Sequence, residues 1–203
     1  MALLRSVCVY CGASTGRDPI YAESAETFGR LLAEAGVRLV YGGGSAGLMG
    51  IVARTVMAHG GAVTGIIPRF LKDREVMLDS VPDLIVTEDM HERKRLMFER
   101  ADAFAALPGG IGTLEETVEM MTWAQLGRHM KPVLLVDVNG FWEPLVQLLG
   151  HMDEEGFLHK DFLPGAREPY LTCRPVEDAI PTLERALAGV SEAELDQPSP
   201  TLL

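Results

Sequence analysis

One segment combines a backbone anion site with acid–base side chains: Leu107-Pro108-Gly109-Gly110-Ile111-Gly112-Thr113-Leu114-Glu115-Glu116. It follows an apolar run, residues 103–107, of buried-strand character and opens a segment of helical character, residues 113–126. Glycines at 109, 110 and 112 let a ligand come close to the backbone, and a helix start offers N–H groups without intrahelical acceptors. Thr113 adds a hydroxyl to that phosphate-sized site. Two carboxylates, Glu115 and Glu116, fall within one turn of it. They would repel an anion unless they serve a neighbouring part of the ligand. A phosphorylated sugar, with its reacting carbon a few ångströms from the phosphate, meets both demands.

The helix that follows can be read by angle, at about 100° per residue. Leu114, Val118 and Met121 form one stripe, expected to face the core. Glu116, Met120 and Trp123 cluster opposite, on a face expected to lose water to a partner, and Glu115, Glu119 and Thr122 lie between. Acids in a first helical turn are favoured by the macrodipole alone, by ~0.3–1 kcal/mol, which accounts for Glu115. Glu116, among Met120 and Trp123, is better explained by chemistry. An earlier helix start, Met90-His91-Glu92-Arg93-Lys94-Arg95, places Arg93 between Leu96 and Met97, where it interrupts an apolar sector. Its planar, always-charged fork suits a phosphate or a carboxylate. Arg95 and Arg100 read as ordinary basic surface.

Strand-like apolar runs at 6–10, 38–41, 62–67, 84–86, 103–107, 133–136 and, weakly, 170–172 position these groups. They alternate with helical segments at 20–35, 48–59, 90–100, 113–126, 142–154 and 176–187. The pattern predicts a Rossmann-like α/β fold: a doubly wound parallel sheet with helices on both faces, one domain over 1–190 and a frayed tail over 191–203. Ligands of such sheets bind at the carboxyl ends of the strands. Glycine-rich turns follow the first, second and fifth strands, and contribute Ser14, Gly43 and Gly44 to a nucleotide-sized cleft. Gly42-x-Gly44-x-x-Gly47 matches the dinucleotide fingerprint in form, but the ribose-binding acid expected some 20 residues on is replaced by Ile66-Ile67-Pro68-Arg69.

A net charge of −11 over 203 residues argues against a nucleic-acid backbone as partner. No apolar run is long enough to span a bilayer and the start of the chain lacks a signal-peptide pattern, so a cytoplasmic location without membrane attachment is expected. Cys8-Val9-Tyr10-Cys11 has C-x-x-C spacing on a strand, where positions three apart face opposite ways, so both read as buried thiols and not a redox pair. The five histidines show no metal-ligand spacing, and Ser14 and Ser45 have no visible triad partners; neither metal nor cofactor is expected.

These motifs together resemble the LOG (Lonely Guy) family, cytokinin riboside 5′-monophosphate phosphoribohydrolases long mislabelled as lysine decarboxylases. The resemblance runs from about residue 7 to residue 176. It rests on Val9 to Ser14, Tyr41 to Gly50, Gly65 to Pro68, Asp89 to Lys94, Leu107 to Glu116, and Thr122 to Gly127. The pairing of Met-x-x-Arg-Lys with Pro-Gly-Gly-x-Gly-Thr-x-x-Glu is its specific signature. The resemblance implies hydrolysis of the N-glycosidic bond of an adenosine-type 5′-monophosphate, giving free base and ribose 5-phosphate. It assigns catalysis to Arg93 and Glu116, and substrate contact to Glu75, Lys94, Gly109, Gly110, Gly112, Thr113, Glu115 and Thr122. It also implies a homodimer with active sites completed near the interface. The chain departs from the family at Ala13, where serine is common, and in the loop 70–80.

Two rival readings remain. A nucleotide carrier or sensor could use the same cleft without chemistry. A decarboxylase would need pyridoxal phosphate on one of Lys72, Lys94, Lys131 or Lys160.

Overall fold

The computed structural model describes residues 3–72, 81–158 and 170–191. Its seven strands are β1 (Ser6–Tyr10), β2 (Arg38–Tyr41), β3 (Val63–Pro68), β4 (Asp83–Thr87), β5 (Ala103–Ala106), β6 (Val133–Val136) and β7 (Leu171–Cys173). The helices are α1 (Pro19–Glu34), α2 (Gly47–Ala58), the short α3 (Arg69–Lys72), α4 (Met90–Glu99), α5 (Ile111–Gln125), α6 (Glu143–Glu154) and α7 (Ala179–Ala188). All seven strands predicted from the apolar runs are present, within about two residues at each end. Single-turn α3 carries too little periodicity to be read from sequence. The segment predicted as one helix over 176–187 opens with a separate 3₁₀ turn, Val176–Asp178, before α7.

All strands pair in parallel, in the order β4-β3-β2-β1-β5-β6-β7. The chain moves outward from β1 to β4, then returns to lay β5 against the other side of β1. That reversal opens a crevice at the carboxyl ends of β1 and β5, as expected for a switch point. Alternation along the strands feeds two cores. Val7, Val9 and Leu39 meet Phe28, Leu32, Val52 and Leu183 on the face covered by α1, α2 and α7. Cys8, Tyr10 and Phe104 meet Met97, Met120 and Trp142 on the face covered by α4, α5 and α6. Cys8 and Cys11 therefore belong to opposite layers, each as a buried free thiol.

Local signals place the helix starts. Asp18 accepts the Ile20 N–H at 3.0 Å ahead of Pro19, and Asp89 accepts the Glu92 N–H at 2.8 Å. The Glu92 carboxylate in turn accepts the N–H of Glu88, the residue before the cap, at 2.8 Å, which ties the incoming chain to the first turn of α4. Trp142 is pinned beside the sheet by its indole N–H on the Ala106 carbonyl (3.0 Å) and its backbone N–H on Asp137 (2.7 Å).

Candidate active site

The glycine turns after β1, β2 and β5 are stitched together by their backbones. The Gly12 N–H donates to the Pro108 carbonyl at 3.0 Å, and the Gly12 carbonyl accepts the Leu48 N–H at 2.9 Å. That second bond closes the start of α2, so its N-terminus is already occupied. The start of α5 is different. No side chain caps it, and its first intrahelical bond runs from Leu114 N–H to the Gly110 carbonyl at 3.0 Å. The N–H groups of Ile111, Gly112 and Thr113 find no acceptor among the described residues. A side chain at Gly109 would collide with the Thr113 hydroxyl, its Cβ lying 2.1 Å from Oγ1. A side chain at Gly110 or Gly112 would meet nothing within 4 Å. Packing inside the chain thus explains Gly109 and leaves Gly110 and Gly112 as open space beside unpaired donors, the arrangement an anion requires.

Facing this turn, α4 directs Arg93 inward. The residue is 9% exposed. Its Nε–H donates to the Ile66 carbonyl at 3.2 Å, and Nη1 lies 3.7 Å from the Met90 sulfur and 3.4 Å from Glu116 Oε1. Lys94, the next residue, is ion-paired with Glu115 and lies 3.4 Å from Glu119. Two cations of α4 are therefore matched to three carboxylates of α5, with the inner pair Arg93–Glu116 the more deeply buried.

Burial raises the Glu116 carboxyl above its ordinary value of 4.5, and the opposing pull of Arg93 only partly offsets this. Glu115 adds to the rise, Lys94 opposes it, and Glu119 adds a little more. The Tyr10 phenol and Cys8 thiol of β1 are themselves pushed up by burial and stay neutral. For Lys94, burial would lower the ammonium, but hydrogen bonds and charge from Glu115 and Glu119 win and raise it.

The structure corrects the angular reading of α5. Its buried face is Thr113, Thr117, Met120, Met121 and Ala124, whereas Leu114 is half-buried, Val118 is 37% exposed and Ile111 82% exposed. Met120 belongs to the chain's own core, and Trp123 packs edge-on against Phe98 at 5.3 Å instead of awaiting a partner. Threonine is accommodated on the core face because the Thr117 hydroxyl donates to the Thr113 carbonyl at 2.6 Å, so its polar group is satisfied along the helix. The apolar face left outward is Ile111, Leu114 and Val118.

The other expected positions are not all brought together. Gly43 and Gly44 are buried at the carboxyl end of β2, with Gly43 at φ +79°. Ser14 is exposed in the turn after β1, its backbone against Gly47. Thr122 is exposed farther along α5, where its hydroxyl donates to the Val118 carbonyl at 2.7 Å. It lines a groove of about 450 Å³ with Ile111, Leu114, Glu115, Glu119 and Trp123, a lining that includes neither Arg93 nor Glu116. Glu75 lies outside the described residues. Sequence reasoning missed the holders of Arg93, namely the Ile66 carbonyl and Met90; the i, i+3 spacing of Met90 and Arg93 on one helix was the available signal.

The family described as possible lysine decarboxylase matches residues 49–168, more than half of the chain. A cytokinin riboside 5′-monophosphate phosphoribohydrolase of Oryza sativa subsp. japonica is 46% identical over 90% of this chain and 77% of its own length. One from Rhodococcoides fascians is 44% identical over 87% of each. Among solved structures, the molybdenum cofactor carrier protein of Chlamydomonas reinhardtii superposes with a TM-score of 0.69 at 21% identity, covering 93% of this chain and all of that one, a likeness of fold alone. The decarboxylase description finds little support in the described lysines: Lys94 is ion-paired, and Lys131 is buried with its ammonium on the Phe98 carbonyl and ring. On the family match and the identity to these relatives, the chain belongs to the LOG family, whose members are named cytokinin riboside 5′-monophosphate phosphoribohydrolases.

Proposed function

We propose that this protein hydrolyses the N-glycosidic bond of cytokinin riboside 5′-monophosphates, and of AMP, to free base and ribose 5-phosphate. The observation that carries the reading is the buried Arg93–Glu116 pair, 3.4 Å apart, beside an uncapped helix start. A carrier needs the helix start but has no use for a buried carboxylate of raised proton affinity.

In this reading the 5′-phosphate occupies the N–H groups of Ile111, Gly112 and Thr113, with Gly109 and Gly110 shaping the turn. Binding energy from that remote phosphate positions the anomeric carbon. Cleavage of the C–N bond builds oxocarbenium-like charge on the ribose, which the Glu116 carboxylate stabilises. Glu116 also orients a water and takes its proton as the oxygen bonds to the anomeric carbon; the departing base nitrogen takes a proton from solvent, and Glu116 then releases its own to solvent. The raised affinity of Glu116 for protons suits that role. Arg93 holds Glu116 and offers its remaining donors to the ribose hydroxyls. Lys94 and Glu115 flank the phosphate turn, Ser14, Gly43 and Gly44 form the cleft wall, and Glu75 and Thr122 contact the base or its substituent.

The reading includes a homodimer, supported by the outward apolar stripe Ile111, Leu114 and Val118, which continues from the phosphate turn along α5. It also places the protein in the cytoplasm, whose reducing conditions suit three buried free thiols. Among the described residues, no helix is long and apolar enough to cross a membrane. Assay of ribose 5-phosphate formation in wild type, Arg93→Ala and Glu116→Gln tests the reading. Loss of product in both variants, with nucleotide binding retained in Glu116→Gln, supports it. Undiminished product in both would move the chemistry elsewhere.

A further inference from the structure

The turn after β2 contains three successive glycines, and its resemblance to a dinucleotide fingerprint leaves their purpose unexplained. Gly43 is accounted for by its backbone, at φ +79°, and by Ile67, whose Cβ would lie 3.0 Å from a side chain placed there. Gly42 is not. Its φ is not positive, so conformation alone does not demand glycine. No backbone atom is among the nearest neighbours of a Cβ built on it. That Cβ would fall 2.2 Å from Arg93 Nη2 and 3.4 Å from Arg93 Cζ, with the Met49 sulfur next at 3.5 Å. The guanidinium of a helix residue 51 positions later fills the volume that a side chain at 42 would take.

We infer that Gly42 is a positioning residue for Arg93: by lacking a side chain it seats the guanidinium at the end of β2, where Nη1 reaches Glu116 and Nη2 stays available to a ligand. The remaining contacts agree with this. Nε is spent on the Ile66 carbonyl, and Nη1 on the Met90 sulfur and Glu116. Nη2, the nitrogen nearest Gly42, has no acceptor among the described residues. Alanine at 42 must push that nitrogen away. The guanidinium is buried and held on two other sides, so it yields by leaving Glu116. The function assigned to Gly42 rests on the proposed hydrolysis only where kinetics are read; the displacement itself does not.

The experiment titrates the Glu116 carboxyl by ¹³C NMR in glutamate-labelled protein without ligand, the resonance being assigned by its loss in Glu116→Gln. Gly42→Ala, Arg93→Ala and the double variant are compared with wild type. Moving the arginine away should raise the Glu116 titration by about one pH unit in Gly42→Ala, with no further rise when Gly42→Ala is added to Arg93→Ala. A folded Gly42→Ala protein whose Glu116 titrates as in wild type overturns the inference.

Kinetics give a second readout. Gly42→Ala should lower kcat by about 10²-fold and cost nothing more in the Arg93→Ala background, whereas independent, additive losses would contradict action through Arg93. If wild type hydrolyses no nucleoside monophosphate, the proposed function fails and the titration still decides the role of Gly42. Should Gly42→Ala not fold, the double variant decides: recovered folding shows that the collision is with the guanidinium, and continued failure overturns the inference.

Discussion

Arg93 and Glu116 face each other, 3.4 Å apart, from two helices whose starts are finished in opposite ways. The α4 start is closed by Asp89 and Glu92, while that of α5 is left uncapped beside the glycine turn. The closed start holds a rigid arginine against the sheet; the open one leaves donors for an anion within a turn of the carboxylate. Burial on both sides strengthens their mutual field, because little water screens it.

Replacing Glu116 with Gln keeps the shape and removes the proton acceptor. Turnover should fall by about 10²-fold or more, with an unchanged circular dichroism spectrum. A near-wild-type rate in that variant would remove Glu116 from the mechanism.

Because burial lifts Glu116 above 4.5, the native state binds its proton more readily than the unfolded chain does. Ionising it therefore costs folding free energy as pH rises from the unfolded value through the folded one. Urea unfolding of wild type and Glu116→Gln should show the difference moving in favour of the variant as pH rises through that window. The rate should fall on acidification through the same folded value, so the acid limb of the kcat/KM profile, which reports the free enzyme, lies above 4.5. An acid limb at or below 4.5 would show that the free carboxyl is not buried as described.

Most of the architecture was legible because most strands are continuous apolar runs that alternate with helical segments. The face of α5 was not. Ranking residues by hydrophobicity sends Leu114 and Val118 inward and threonine outward, yet Thr113 and Thr117 are buried. The Thr117 hydroxyl bonds along the helix to the Thr113 carbonyl, so its burial leaves no polar group unsatisfied. Arg93 stood out as a charge within an apolar sector and Glu116 as a carboxylate on an apolar face, but their pairing, across helices that begin 21 residues apart, came from family resemblance. The role of Gly42 was invisible, since it depends on a side chain arriving from another layer.

Gly112→Ala adds a methyl group where the chain itself offers open space. The unliganded protein should be as stable as wild type or more so, by up to about 1 kcal/mol from helix propensity, while KM for a monophosphate rises at least tenfold. Thermal unfolding and saturation kinetics on the same sample check both. A destabilised variant with normal KM would place the phosphate elsewhere.

The outward stripe on α5 can be tested with Ile111→Asp and Val118→Glu, each adding charge at an exposed position. Light scattering after size exclusion should find wild type at twice the 22.1 kDa chain mass and the double variant at once that mass. A wild-type monomer would remove the homodimer.

The most direct test of the central claim is product analysis by chromatography after incubating purified protein with AMP, with isopentenyladenosine 5′-monophosphate, and with the two corresponding nucleosides. The expected result is stoichiometric free base and ribose 5-phosphate from the monophosphates and none from the nucleosides, because the uncapped start of α5 must hold a phosphate before the Arg93–Glu116 pair can act. No base from either monophosphate, with both still bound, would contradict hydrolysis and leave a nucleotide carrier.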